Sequence, residues 1–140
     1  MRNLYMLDTD ICSYIIKGKF SELRQRLISV ETDVISISSI TEAELLFGVA
    51  KVAKVIPKLE QVVNKFLLQV NIEPWGGSAP EHYAAIRANL EKIGMPIGNM
   101  DLLIAAHAIS LDAVLVTNNM RHFKYVNGLK TEQWINIPAS

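Results

Sequence analysis

The sequence predicts an α/β fold: one three-layer α/β/α domain over residues 1–140, with a central, mainly parallel sheet of four to five strands. Three observations lead there. The strand-like runs 3–7, 34–38 and 113–116 are short and rich in apolar or β-branched residues, which suits strands covered on both faces. Helical periodicity separates them, the pattern that βαβ connections leave in a sequence. The chain of 140 residues has the length of one compact domain, long enough to bury a core without staples.

In chain order, residues 3–7 read as a buried strand ending at Asp8. Ile11, Ile15 and Ile16 mark a helix over 9–17, which Gly18 interrupts, and Leu23 and Leu27 mark a second over 21–27. Residues 34–38 form a second strand, followed by a helix over 39–55 with Ile40, Ala43, Leu46, Phe47 and Ala50 on its apolar face. Pro57 opens a helix to 68, and 70–75 is a strand candidate turning at Gly76-Gly77. Ser78 and Glu81 have the spacing of a capping box, for a helix that stops at Gly94. Residues 101–111 are apolar nearly all round, hence a central helix leading into the strand 113–116. Residues 134–137 offer a fifth strand.

Composition narrows the function classes. The single cysteine, Cys12, excludes an intramolecular disulfide and favours a cytoplasmic setting. The apolar start reaches Asp8 too soon for a signal peptide, and no apolar run is long enough for a membrane span. Basic and acidic residues balance at 14 each, which argues against bulk electrostatic binding of nucleic acid but not against a local basic surface.

Polar residues follow the strands at the end where α/β proteins bind ligands: Asp8-Thr9-Asp10 after the first, 38–44 with Glu44 after the second, and Thr117-Asn118-Asn119 after the fourth. Asp101 opens the helix before the fourth strand. Clustered carboxylates repel one another and lose hydration, so they need a cation, and oxygen-only ligands suit Mg²⁺ or Mn²⁺. Each acid also has a plainer reading. Asp8 is a good helix cap, Asp101 is favourably placed at a helix start, and Glu44 could close a capping box with Thr41, though Ser39 and Glu42 compete for that role.

Met6-Leu7-Asp8-Thr9-Asp10-Ile11, the block 37–49 around Glu44, the block 96–108 around Asp101, and Val116-Thr117-Asn118-Asn119 through Trp134 together resemble the VapC toxins of the PIN-domain family, in order and over essentially the whole chain. The resemblance implies a PIN-like sandwich and a Mg²⁺-dependent endoribonuclease, with Mn²⁺ as a substitute metal. It also implies a VapB-like antitoxin as partner, toxin homodimers, and RNA as substrate, with tRNA one candidate.

Carried across, the metal ligands are Asp8, Glu44 and Asp101. Glu44 would position or deprotonate water, and Thr117 and Asn119 would hydrogen-bond water or phosphate. The chain departs from the family pattern at Asp10, where many relatives have Asn. It departs again at Asn119, where many have an acid, and at His122, where close relatives often have Glu. Arg121, Lys124 and Lys130 are candidate phosphate contacts. Ile11, Ile15, Leu45, Leu46, Val49, Val52 and Val55 exceed what a thin sheet cover needs and suggest the partner's groove. His107 and His82 read as structural, and Trp75 and Trp134 as packing residues. Two alternatives remain. In a haloacid-dehalogenase-like phosphohydrolase Asp8 would be the nucleophile, but Cys12 stands where that motif takes Thr or Val. A non-catalytic module would keep the fold alone.

Overall fold

The computed structural model describes residues 3–135. Five parallel strands form one sheet in the order β3-β2-β1-β4-β5: β1 Tyr5–Leu7, β2 Ile35–Ser38, β3 Asn71–Glu73, β4 Val114–Val116 and β5 Lys130–Glu132. The helices are α1 Thr9–Ile16, α2 Ser21–Ser29, α3 Ser39–Val52, α4 Pro57–Gln69, α5 Ala79–Lys92, α6 Asn99–Ser110 and the single turn α7 Met120–Phe123.

The chain first winds outward from β1 through β2 to β3, then crosses back to β4 on the other side of β1. Parallel crossovers are right-handed, so this reversal of direction puts the two sets of helices on opposite faces. The core divides accordingly. Leu7 and Val116 pack with Ile11, Leu23, Leu45, Val63 and Phe66 of α1–α4. Their neighbours Met6 and Leu115 point the other way, into Ile86 and Leu90 of α5 and the Leu102, Ile104–Ala106 and Ala108 stretch of α6. The register Met6↔Leu115 and Leu7↔Val116 keeps both strands in phase. Every second residue therefore goes to the same face, and both faces are covered, which is why these strands read as uninterrupted apolar runs.

Several local expectations change. The fifth strand is Lys130–Glu132, not 134–137. Trp134 and Ile135 are buried beyond it, with Trp134 stacked edge-on against Tyr5, and 136–137 lie outside the described residues. In α3 the buried residues are Thr41, Leu45 and Val49, whereas Leu46 and Phe47 are exposed. Ile11, Leu45 and Val49 are thus core residues and not surplus surface. α6 starts two residues earlier than expected, at Asn99. Ser78 occupies the cap position of α5, but its side chain makes no capping bond, so the capping box is not formed. The other end of α5 closes as expected: Gly94 has φ +74°, and the Met95 and Gly94 amides return to the Leu90 and Glu91 carbonyls.

Leu115 is fully buried in the middle of β4. Leu115→Ala should cost about 2–5 kcal/mol in urea unfolding, and a loss under about 1 kcal/mol would show that the α5–α6 layer collapses freely onto the sheet.

Candidate metal centre

The winding reversal falls between β1 and β4, so a crevice opens at their carboxyl ends, where open α/β sheets bind ligands. Asp8 follows β1 there and Thr117 follows β4. The Asp8 amide donates to the Val116 carbonyl (3.0 Å), and the Thr117 amide to that of Glu132 (3.1 Å). Asp8 also caps α1, its carboxylate accepting the Ile11 amide at 2.9 Å. Capping and burial at the switch point coexist, and the cap alone does not account for a carboxyl only 5% exposed.

Burial is the largest influence on that carboxyl, and it pushes the pKa from 3.8 up to about 7. Hydrogen bonds from the Thr117 hydroxyl and the Ile11 amide pull it down; the charges of Asp10 and Asp101 push it further up. Asp101, in the first turn of α6, is also raised, chiefly by desolvation, with Asp10 adding and His122 opposing. Asp8, Asp10 and Asp101 are therefore within electrostatic reach of one another. Asp8 and Asp101 both stand at the positive ends of helices.

Glu44 enters through a different contact. Its Oε1 accepts the Thr9 hydroxyl at 2.6 Å, and that hydroxyl lies 3.2 Å from the buried Thr41 hydroxyl. α3 is capped by Ser38, whose side chain accepts the Ile40 amide, so neither the Thr41–Glu44 nor the Ser39–Glu42 box forms. As the side chains lie, no three His, Cys, Asp or Glu among the described residues enclose a common point suited to an ion. The donor chemistry nonetheless fits a hard divalent cation: carboxylates and a hydroxyl, with a buried acid whose charge is poorly compensated.

Asn119 and His122 stand beside Asp101. The Asn119 amide group contacts His122 Nδ1, which is 3.6 Å from Asp101 Oδ2, and the Asn119 backbone amide donates to the Thr117 hydroxyl. Arg121 and Lys124 are exposed on and just after α7. Lys130 is not at this end. It opens β5, opposite Val114, and pairs with Asp112 at 2.8 Å at the amino ends of the strands, so it drops out as a phosphate contact. The residue missed from sequence is Thr9. Its only signal was a hydroxyl directly after the strand-end acid, which any first-turn threonine also has.

Residues 5–129 match the PIN domain family. The chain is 37% identical over 130 residues to the tRNA(fMet)-specific endonuclease VapC of Shigella flexneri, covering 93% of this chain and 97% of that protein. It is 40% identical over 132 residues to ribonuclease VapC2 of Rickettsia felis, covering 94% and 98%. Among solved structures, VapBC2 of Rickettsia felis bound to a promoter DNA fragment matches with a TM-score of 0.84 and 39% identity, over 93% of this chain and 98% of that one. DNA-bound VapBC of Salmonella typhimurium matches at 0.85 and 36%, over 95% and 99%. The chain belongs to the PIN-domain family, whose nucleases depend on divalent metal. Within that family it is an endoribonuclease of the VapC toxin type. The phosphohydrolase and non-catalytic alternatives lose their support.

The raised pKa of Asp8 has a consequence for stability. The unfolded carboxyl titrates near 3.8 and the native one near 7. Between those values the native state binds more protons. Asp8 thus contributes stability that is fully present below about pH 4 and is lost as pH rises through 7. With divalent cations chelated, thermal melts should fall from pH 5 to pH 7, and Asp8→Asn should flatten that slope. An equally steep slope in the variant would remove Asp8 as its source.

Proposed function

We propose that residues 1–140 work as one metal-dependent PIN domain that hydrolyses RNA phosphodiester bonds, with Asp8, Glu44 and Asp101 as the residues that hold Mg²⁺. The observation that carries this reading is the buried, charge-coupled Asp8 carboxyl at the sheet's switch point, in a chain similar to VapC ribonucleases over nearly its full length. Mg²⁺ held there would supply Lewis acidity, orienting the scissile phosphate and lowering the pKa of a bound water. Mn²⁺ would substitute, having the same preference for oxygen ligands.

This chain's own groups do the rest. Glu44 Oε1 is held by Thr9, which leaves Oε2 to position or deprotonate the attacking water. The Thr117 hydroxyl orients Asp8. Asn119 and His122, beside Asp101, meet the phosphate edge. The substrate class follows the relatives: the Shigella flexneri protein is named for tRNA(fMet), and a structured tRNA is the first RNA to try.

The partner is a VapB-like antitoxin. The solved relatives are VapBC complexes, and a cavity of about 340 Å³ opens between α1 and α2, its apolar lining of Ile15, Phe20, Leu23 and Leu27 joined by Lys19, Ser21 and Arg24. Exposed Leu46 and Phe47 on α3 support a toxin homodimer. Among the described residues no helix is long and apolar enough to cross a membrane, and the proposed site of action is the cytoplasm.

Purified protein should cleave RNA with Mg²⁺ or Mn²⁺ and stop with chelator. Asp101→Asn should abolish cleavage while the chelated protein stays as stable or gains stability, because a repulsive charge is lost. Wild-type cleavage by this variant would take Asp101 out of the site.

Metal stoichiometry is the second test. A two-metal site needs enough negative charge to hold two cations about 3.5–4 Å apart, and Asn119 supplies an amide where an acid would help. Calorimetry with Mn²⁺ should give one tight site per chain without RNA, and tighter binding in Asn119→Asp. Two tight sites in wild type, or unchanged affinity in the variant, would contradict this.

A further inference from the structure

The geometry points to His107 as a positioning residue that fixes the first turn of α3, and so Glu44, relative to α6 and Asp101. This rests on the proposed metal site. His107 lies two turns inside α6, 1% exposed, among Ala105, Ala106 and Ala108. An imidazole is a costly way to fill apolar space, so its polar contacts need a reason.

Those contacts define a directed chain. The ring's other polar neighbour is the backbone of Pro74, which lacks an N–H and offers only its carbonyl as an acceptor for a ring N–H. His107 Nδ1 is the nitrogen 2.7 Å from Ser38 Oγ, which leaves Nε2 for Pro74. Burial holds the ring neutral by pushing its pKa below the ordinary histidine value. With its proton on Nε2, Nδ1 is an acceptor, and the Ser38 hydroxyl donates to it. Ser38 Oγ is in turn free to accept the Ile40 amide at 3.1 Å, the cap of α3. The Ile40 amide can only donate, so the tautomer of His107 sets where the Ser38 hydroxyl proton points and anchors the capping oxygen.

A parallel tie reinforces it. The Trp75 amide donates to Ser39 Oγ at 3.0 Å, and the Trp75 indole N–H to the Leu103 carbonyl of α6 at 2.8 Å. The two serines that start α3 are thus held, one directly and one through Trp75, by the helix that carries Asp101. Glu44 lies about one and a half turns further along α3. Sliding α3 against α6 would break both ties.

Two substitutions split the histidine's two bonds. His107→Asn keeps an acceptor at the Nδ1 position and loses the reach to Pro74. His107→Gln reaches Pro74 and loses the Ser38 acceptor. Both should be less stable than wild type. Gln should weaken Mn²⁺ binding in calorimetry about 10-fold and lower kcat about 10–100-fold with KM little changed. Asn should stay close to wild type on both measures, and Ser38→Ala should behave like Gln. The Ile40 amide should exchange with deuterium at least about 10-fold faster in Gln and Ser38→Ala than in Asn. If metal affinity and kcat instead follow stability loss, with Asn no better than Gln, His107 is only a core residue and the inference fails. A wild type that neither binds Mn²⁺ nor cleaves RNA would overturn the proposed function. The Ile40 exchange would then decide the role of His107 alone: faster in Gln than in Asn upholds it, and equal rates overturn it.

Discussion

A carboxyl group buried at the carboxyl end of β1 is the constraint to which the surrounding structure answers. Burying an ionised acid is expensive, and the fold recovers only part of that cost for Asp8. It provides one amide from α1 and one hydroxyl from Thr117, then adds two further acids nearby. A protein selected for stability alone would place an apolar residue there. The uncompensated charge makes sense as a standing demand for a cation, and so do the helix ends aimed at it. α1 and α6 direct their positive poles toward Asp8 and Asp101, which lowers the cost of the metal-free state without cancelling it.

Sheet topology is what lets residues distant in sequence answer that demand together. Asp8 and Thr117 lie at the ends of adjacent strands because β4 returns to the side of β1 that β2 does not occupy. Glu44 comes in on α3, from the first set of crossovers, and Asp101 on α6, from the second. The proposed site therefore straddles the two layers. Its geometry depends on contacts between those layers as much as on either one, and α3 packs directly against α6.

The fold and the strand-end positions of Asp8 and Thr117 were legible in the sequence for a common reason. In β1 and β4 both faces are apolar, so the first polar residue after each run marks the strand's end, and Asp8 and Thr117 stand in those places; β2 instead keeps two buried serines, Ser36 and Ser38. What was not legible depended on phase or on edges. α3 is apolar round much of its circumference, so its periodicity could not say that Thr41, Leu45 and Val49 face inward while Leu46 and Phe47 face out. β5 is an edge strand of Lys-Thr-Glu, too short and polar to leave a pattern, and the apolar Trp134-Ile135 just beyond it drew the assignment away. With Ser38 and Ser39 adjacent, either could cap α3; Ser38 does so with His107 on its hydroxyl, while the Ser39 hydroxyl takes the Trp75 amide. The contact between Thr9 and Glu44 spans 35 residues and has no local signature.

With 14 basic and 14 acidic residues the chain has no overall field to draw in a polyanion. Some of the described cations are committed elsewhere, Arg26 to Glu132, Arg87 to Glu91 and Lys130 to Asp112, while Arg121 and Lys124 are exposed on and just after α7, which follows β4. An RNA phosphate approaching bare Asp8, Asp10 and Asp101 would be repelled. On the proposed reading, the bound cation both relieves the buried carboxyl and reverses the sign of the surface that the phosphate meets. Metal loading would then precede productive binding of RNA: the energetic cost of burying Asp8 is recovered in metal affinity, and the cation rather than net charge draws the phosphate to the site.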